Sequence, residues 1–130
     1  MTWAELKKNI LDLGFDDELP TGLITSCNRA INVIRKTIEV PYRKFIFNDL
    51  SITELPTITP ITKDTADSFE IQTIDRLIDL VPLLSAHYAW LDDDVQKATT
   101  YFNEYDDLKN QIMSDFQKPN KVVFGEGLRW

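Results

Sequence analysis

Asp79-Leu80-Val81-Pro82-Leu83-Leu84-Ser85-Ala86-His87-Tyr88-Ala89-Trp90-Leu91-Asp92-Asp93-Asp94 is the stretch whose reading decides the fold. From Leu80 to Leu91 it is apolar around most of a helical circumference, and a helix of that kind is buried on nearly every side. Pro82 sits in the first turn, where its missing N–H costs nothing. The three aspartates break the helix and then serve the next one, as an N-cap and as negative charge at the positive end of its dipole. A central helix this apolar needs amphipathic neighbours to cover it.

Those neighbours can be read outward from it. Downstream, Val95, Ala98, Tyr101, Phe102, Tyr105, Leu108, Ile112 and Phe116 recur at helical spacing and mark one face to about Gln117, with Pro119 expected to end the helix. Upstream, Leu23, Ile24, Cys27, Ala30, Ile31, Ile34 and Ile38 form the strongest periodic run and predict a helix from about Thr21 to Glu39, stopped by Pro41. At the N-terminus, Thr2-Trp3-Ala4-Glu5 fits a capping box, Trp3, Leu6, Ile10 and Leu13 give one apolar stripe, and Gly14 is placed to end it. Phe15 to Pro20 reads as a short acidic turn.

Between the helices the pattern changes. Phe45-Ile46-Phe47 and Leu50-Ser51-Ile52-Thr53 are short aromatic or β-branched runs, and Leu55 to Ile61 carries two prolines, which suits an extended chain and not a central strand. Phe69-Glu70-Ile71 reads as a returning strand. A loop this long is usually functional or disordered. After the last helix, Val122-Val123-Phe124 is strand-competent and the chain runs through Gly125-Glu126-Gly127 to Leu128-Arg129-Trp130. The expected fold is therefore mainly α: a bundle of about four helices over residues 1–117, with an extended, β-like central loop at about 42–73 and an extended C-terminal tail, 118–130. Extended apolar segments can add a strand to a neighbour's sheet edge, so loop and tail are both candidates for subunit contact.

Composition narrows the function. The length of 130 residues suits a single core, and 43% hydrophobic residues are enough to build one. A net charge of −7 repels phosphate, so DNA binding is disfavoured. Neither a signal peptide nor a membrane span is expected, because Met1 to Glu5 lacks a basic region leading into an apolar run and no stretch reaches the length of a span. Cys27 is the only cysteine and sits among Ile24, Ala30 and Ile31, where it reads as a small buried hydrophobe.

No constellation of catalytic residues emerges. His87 is the only histidine, and its neighbours Tyr88 and Trp90 favour a buried or interfacial imidazole over a metal ligand or a base. An EF-hand register beginning at Asp92 puts Lys97 where the turn glycine belongs and Asn103 where the closing glutamate belongs, so it fails. Asp16/Asp17 and Asp106/Asp107 read as solvated surface. No glycine loop leads into a helix to cradle phosphate. Asn28, Arg29, Asn32, Arg35 and Lys36 give the second helix a mildly basic face, the only hint of a DNA-reading helix, and a solvated bundle face accounts for it better. The chain is expected to be an interaction protein without catalysis, cofactor or metal.

The order of features resembles the head–tail connector (head-completion or adaptor) proteins of tailed bacteriophages. The likeness is carried by Leu80-Val81-Pro82, by Ala86-His87-Tyr88-Ala89-Trp90-Leu91-Asp92-Asp93-Asp94, and by Ala98, Tyr101, Phe102, Tyr105 and Leu108. It extends over most of the chain in layout and over residues 80–108 in motif. The resemblance implies a virion protein assembled in the host cytoplasm: a homo-oligomeric ring, commonly of twelve subunits, beneath the portal protein. Such a ring would extend the DNA channel, let DNA pass without specific binding, and seat the next tail component. It further implies that the tail docks on the portal or a neighbour through Val122, Val123, Phe124, Leu128 and Trp130. Phe45, Phe47, Ile52, Leu55, Ile58 and Ile61 would belong to an inter-subunit or lumen loop. Two other functions remain open: a small acidic helical regulator or adaptor binding a host or phage protein through its loop, and a DNA-binding regulator using residues 21–39.

Overall fold

A computed structural model describes the backbone of residues 1–15 and 19–124 and the side chains as far as residue 114. The molecule is mainly helical: α1 (Trp3–Leu11), α2 (Leu23–Ile34), α3 (Val40–Phe47), α4 (Leu80–Trp90) and α5 (Val95–Phe124). No strand occurs among the described residues, only an isolated bridge between Thr2 and Glu70.

Helix α1 begins with the expected capping box. The Glu5 N–H donates to Thr2 Oγ1 (3.2 Å) and the Thr2 N–H donates to the Glu5 carboxylate (2.9 Å), which holds that carboxyl below its usual pKa. Trp3, Leu6 and Ile10 are buried, and the chain turns at Gly14, whose φ of +95° a side chain would strain. α4 is the central helix, with Leu80, Val81, Pro82, Leu84, Ser85 and Ala86 all buried. It packs against α1, α2 and α5. The acidic turn caps α5 as expected, since Asp94 accepts from the Lys97 N–H (3.2 Å).

One clasp ties the segment after α1 to this turn. The Trp90 indole N–H donates to the Leu13 carbonyl (3.1 Å), Phe15 stacks on Trp90 at 4.1 Å, and Lys97 Nζ lies 4.3 Å from the Trp90 ring. Gly14 is wedged beside Trp90 and Tyr101. Acidic residues 16–18 of the following turn lie outside the described residues.

Three expectations need correction. Pro41 does not stop the second helix. α2 passes through a π-helical turn, Arg35–Glu39, straight into α3, so Phe45, Ile46 and Phe47 are helical and not extended. The physical reason is local. A proline ring inside a helix collides with the carbonyl four residues back, and the widened turn, closed by the Val40 N–H donating to the Arg35 carbonyl, gives it room. Asn48, at φ +51°, then ends α3 in the left-handed conformation that asparagine tolerates.

Second, the face read on α5 is too broad. Ala98, Tyr105 and Ile112 are buried and Tyr101 and Leu108 pack against the core, but Val95 (67% exposed) and Phe102 point outward. Phe116 lies beyond the described side chains. Third, α5 runs to Phe124 instead of ending near Gln117, so Pro119 and Lys118–Phe124 are helical in backbone. Proline removes a single ladder bond there, which a helix of 30 residues outlasts.

Candidate interaction surface

The loop after α3 divides into two parts with different fates. Its second half is bound to the chain's own helices. Asn28, on α2, donates from its amide to the Ile61 carbonyl and accepts from the Ile61 N–H, both at 2.9 Å, as a neighbouring strand would. Arg35 donates to the Pro56 carbonyl, and the Gln72 side chain accepts from the Thr59 N–H (2.7 Å). The returning segment pairs with the N-terminus: Trp3 N–H to the Phe69 carbonyl (2.8 Å) and Ile71 N–H to the Met1 carbonyl (2.9 Å). Lys7–Asp67 (2.7 Å) and the N-terminal amine–Glu70 (3.2 Å) add ion pairs. Ile61 and Ile71 are thereby buried in the core.

The first part is left uncovered. Ile46, Phe47 and Leu50 stand at the tip of α3 and in the turn after it, with Phe47 61% and Leu50 84% exposed. α3 itself contributes no fully buried residue. Tyr42, Arg43, Ile46 and Phe47 form one wall of a shallow groove whose other wall is Ile74, Asp75 and Arg76.

Beneath this tip lies a polar cluster. Glu39, 2% exposed, sits on the π-turn between Arg43 (Nε to carboxylate 2.8 Å) and Arg35 (4.0 Å). Thr73, Gln72 and Ile58 line a cavity against the same three side chains. A buried carboxylate is tolerable only when paired, and here the pairing ties the widened turn to the docked loop.

The expected loop residues therefore separate. Ile61 is core, Phe45 and Ile58 pack against the core, Ile52 and Leu55 are half-buried, and Phe47 is exposed. Leu55 joins Thr53 and Glu54 against Asn32, Arg35, Lys36 and Val40. Of the expected tail residues, Val122, Val123 and Phe124 have described backbone only, in α5, and Leu128 and Trp130 lie outside the described residues. Sequence reading missed Ile46 and Leu50 as separate from the docked half. It also missed Asn28 and Arg35, whose only signal was polar side chains facing a long loop.

Three residues of the mildly basic face have partners within the chain. Asn28 and Arg35 hold the loop, and the Arg29 guanidinium lies 4.1 Å from the Tyr88 ring. His87 is half-buried, its Nδ1 donating to the Ala98 carbonyl (2.8 Å), with the Phe102 ring tilted against it at 5.0 Å. Cys27 is fully buried, and burial pushes its thiol up to about 12. Among the described residues no three His, Cys, Asp or Glu side chains gather where they could hold a metal ion. No helix among them is long and apolar enough to cross a membrane. No family model, curated protein or solved structure matches the chain.

Proposed function

We propose that the chain is a structural protein of a tailed-phage virion, a head–tail connector that assembles as a ring beneath the portal, extends the DNA channel and joins head to tail. The observation that carries an assembly role is the tip of α3. Ile46, Phe47 and Leu50 lie within five residues of one another and are all left in water, and uncovered apolar clusters of this kind mark protein contacts. The phage assignment rests on the resemblance of residues 80–108, which lie in α4, the acidic turn and the first half of α5.

In this reading the protein catalyses nothing and holds no cofactor. Its negative charge suits a channel through which DNA slides without sticking. The C-terminal segment 118–130 reaches the portal or a neighbouring subunit, with Val122, Val123, Phe124, Leu128 and Trp130 as anchors, aromatic anchors being the usual hot spots of such contacts. Deleting Lys118–Trp130 is expected to leave the helical circular dichroism in place, scaled for the shorter α5, and to abolish docking on the portal in a pull-down. Undiminished docking by the truncated chain contradicts the role of the tail.

A second reading, a small acidic adaptor for one host or phage protein, draws on the same α3 tip, because one compact apolar patch suffices for one partner. The two part on mass: an adaptor stays monomeric and ignores the portal. A DNA-binding regulator is disfavoured by the commitment of Asn28, Arg29 and Arg35 to intramolecular partners.

A further inference from the structure

Residues 53–60 cross the joint of α2 and α3 as an irregular strap, and little holds them there. None of the eight is buried: Leu55 and Ile58 are half-buried and the other six are exposed. Among the described residues two hydrogen bonds tie the strap to the helices and the returning segment. The Arg35 guanidinium donates to the Pro56 carbonyl, and the Thr59 N–H donates to the Gln72 side chain at 2.7 Å. Clefts run along both flanks. On one, Thr53, Glu54 and Leu55 face Asn32 and Lys36; on the other, Pro56 and Ile58 face Glu39, Arg43 and Thr73; Arg35 borders both. The next residue behaves differently. Ile61 is 3% exposed, and Asn28 pins its backbone twice at 2.9 Å.

Beside the strap, three polar atoms are shielded from water and have no hydrogen-bond partner: Arg35 Nε, Glu39 Oε1 and Thr73 Oγ1. Their side chains line the cleft shared with Pro56 and Ile58. Arg35 Nε and Glu39 Oε1 stand 4.0 Å apart, which leaves attraction between the charges but no hydrogen bond. Depriving a polar atom of water without giving it a partner costs at least as much as one well-made hydrogen bond returns. The closed strap therefore gains two hydrogen bonds and the partial burial of two aliphatic side chains, and it forfeits the hydration of three polar atoms. When the strap lifts, water restores that hydration and replaces both bonds.

We propose that residues 53–60 are a releasable strap, which opens and closes over the α2–α3 joint while the helical core stays packed. Its fixed ends are on the page: the left-handed Asn48 that ends α3, and Ile61, buried and held by Asn28. Opening bares Asn32, Arg35, Lys36, Glu39 and Arg43, which follow one another at helical spacing and form one polar face of the joint. The strap thus controls access to that face, and the three unpaired atoms keep its closed state only narrowly favoured. Segments with few buried contacts and side-chain latches of this kind open far below the cost of unfolding the whole molecule. The inference does not depend on the connector reading.

Amide hydrogen exchange of the full chain, resolved by residue in low concentrations of urea, tests the strap. Thr59 and Ile61 each have an N–H bonded to a side-chain oxygen, so the two amides report on the strap and on its anchor. The Thr59 amide is expected to exchange faster than that of Ile61 and with little dependence on urea, because a local opening exposes little surface. Thr73→Val keeps the shape of the side chain and removes one of the unpaired atoms. It is expected to slow Thr59 exchange about tenfold, since the closed strap no longer shields an unpaired hydroxyl. A Thr59 amide as protected as Ile61, with the same urea dependence, overturns the proposal, because the strap then opens only with the whole molecule. Thr59 exchange that is unchanged or faster in Thr73→Val overturns it as well, because the shielded hydroxyl then does not oppose closure.

Discussion

Cys27 and Asn28 are adjacent in sequence and show two ways in which a single side chain is tied to this fold. Cys27 faces the core, where burial pushes its thiol from an ordinary 9.0 up to about 12, against a smaller opposing effect of the Ser85 hydroxyl. Below about pH 9 the thiol is protonated whether the chain is folded or not, so its contribution is fully present. Above that, only the unfolded thiol ionises, and stability is expected to fall by about 1.4 kcal/mol per pH unit until the folded thiol also titrates. Tyr105, raised by burial beside Thr37, steepens the loss at still higher pH. Urea unfolding of wild type and Cys27→Ala across this range checks the sign: the variant, weaker by about 1 kcal/mol at neutral pH, should show the shallower decline. Equal slopes would contradict the buried-thiol account. Asn28 faces the loop. Replacing it with alanine leaves the N–H and carbonyl of buried Ile61 unpaired, a loss of about 2 kcal/mol in urea unfolding. Faster proteolysis between residues 50 and 66 should accompany it, and an unchanged cleavage rate would mean that Asn28 does not hold the loop.

At the scale of elements, the helices were legible where apolar spacing alone decides them. The capping box at Thr2–Glu5, the all-round apolarity of α4 and the aspartate turn each act through groups within a few residues, and each stands where the sequence puts it. The continuation of α2 into α3 was not legible, because Pro41 and the aromatic triplet Phe45–Phe47 both argue locally for an end of helix. What overrides them is a five-residue π-turn held by Arg35, Glu39 and Arg43, three polar residues whose joint role depends on the returning loop. The docked half of the loop was hidden for the same reason, since side chains pairing with backbone leave no periodic trace. Nor could spacing tell Val95 and Phe102 from the buried residues of α5, as both fit a broad apolar face. Glu39 gives the element-scale prediction. Glu39→Leu strips Arg35 and Arg43 of their shared carboxylate and should cost about 2–3 kcal/mol, less than a fully buried pair because Arg43 keeps access to water. The loss should fall on the junction of α2 and α3, read as faster amide exchange over residues 35–47 than over α4. Uniformly increased exchange would mean that the π-turn is not a separate joint.

The whole molecule presents a completed core with apolar side chains left exposed at the α3 tip and after α4, and uncovered apolar surface of this kind is what an assembly function would use. The core is closed by the clasp of Trp90, Phe15 and Leu13, so residues of the connector-like motif also serve the bundle itself. The motif therefore bears on fold as well as on partner, and the functional claim has to be tested on mass. Light scattering of the purified chain, alone and mixed with a portal protein encoded beside it, is the most direct measurement. A closed ring, or monomers joining the portal in stoichiometric number, is the predicted result. A monomer that remains monomeric and does not bind the portal would contradict the connector account.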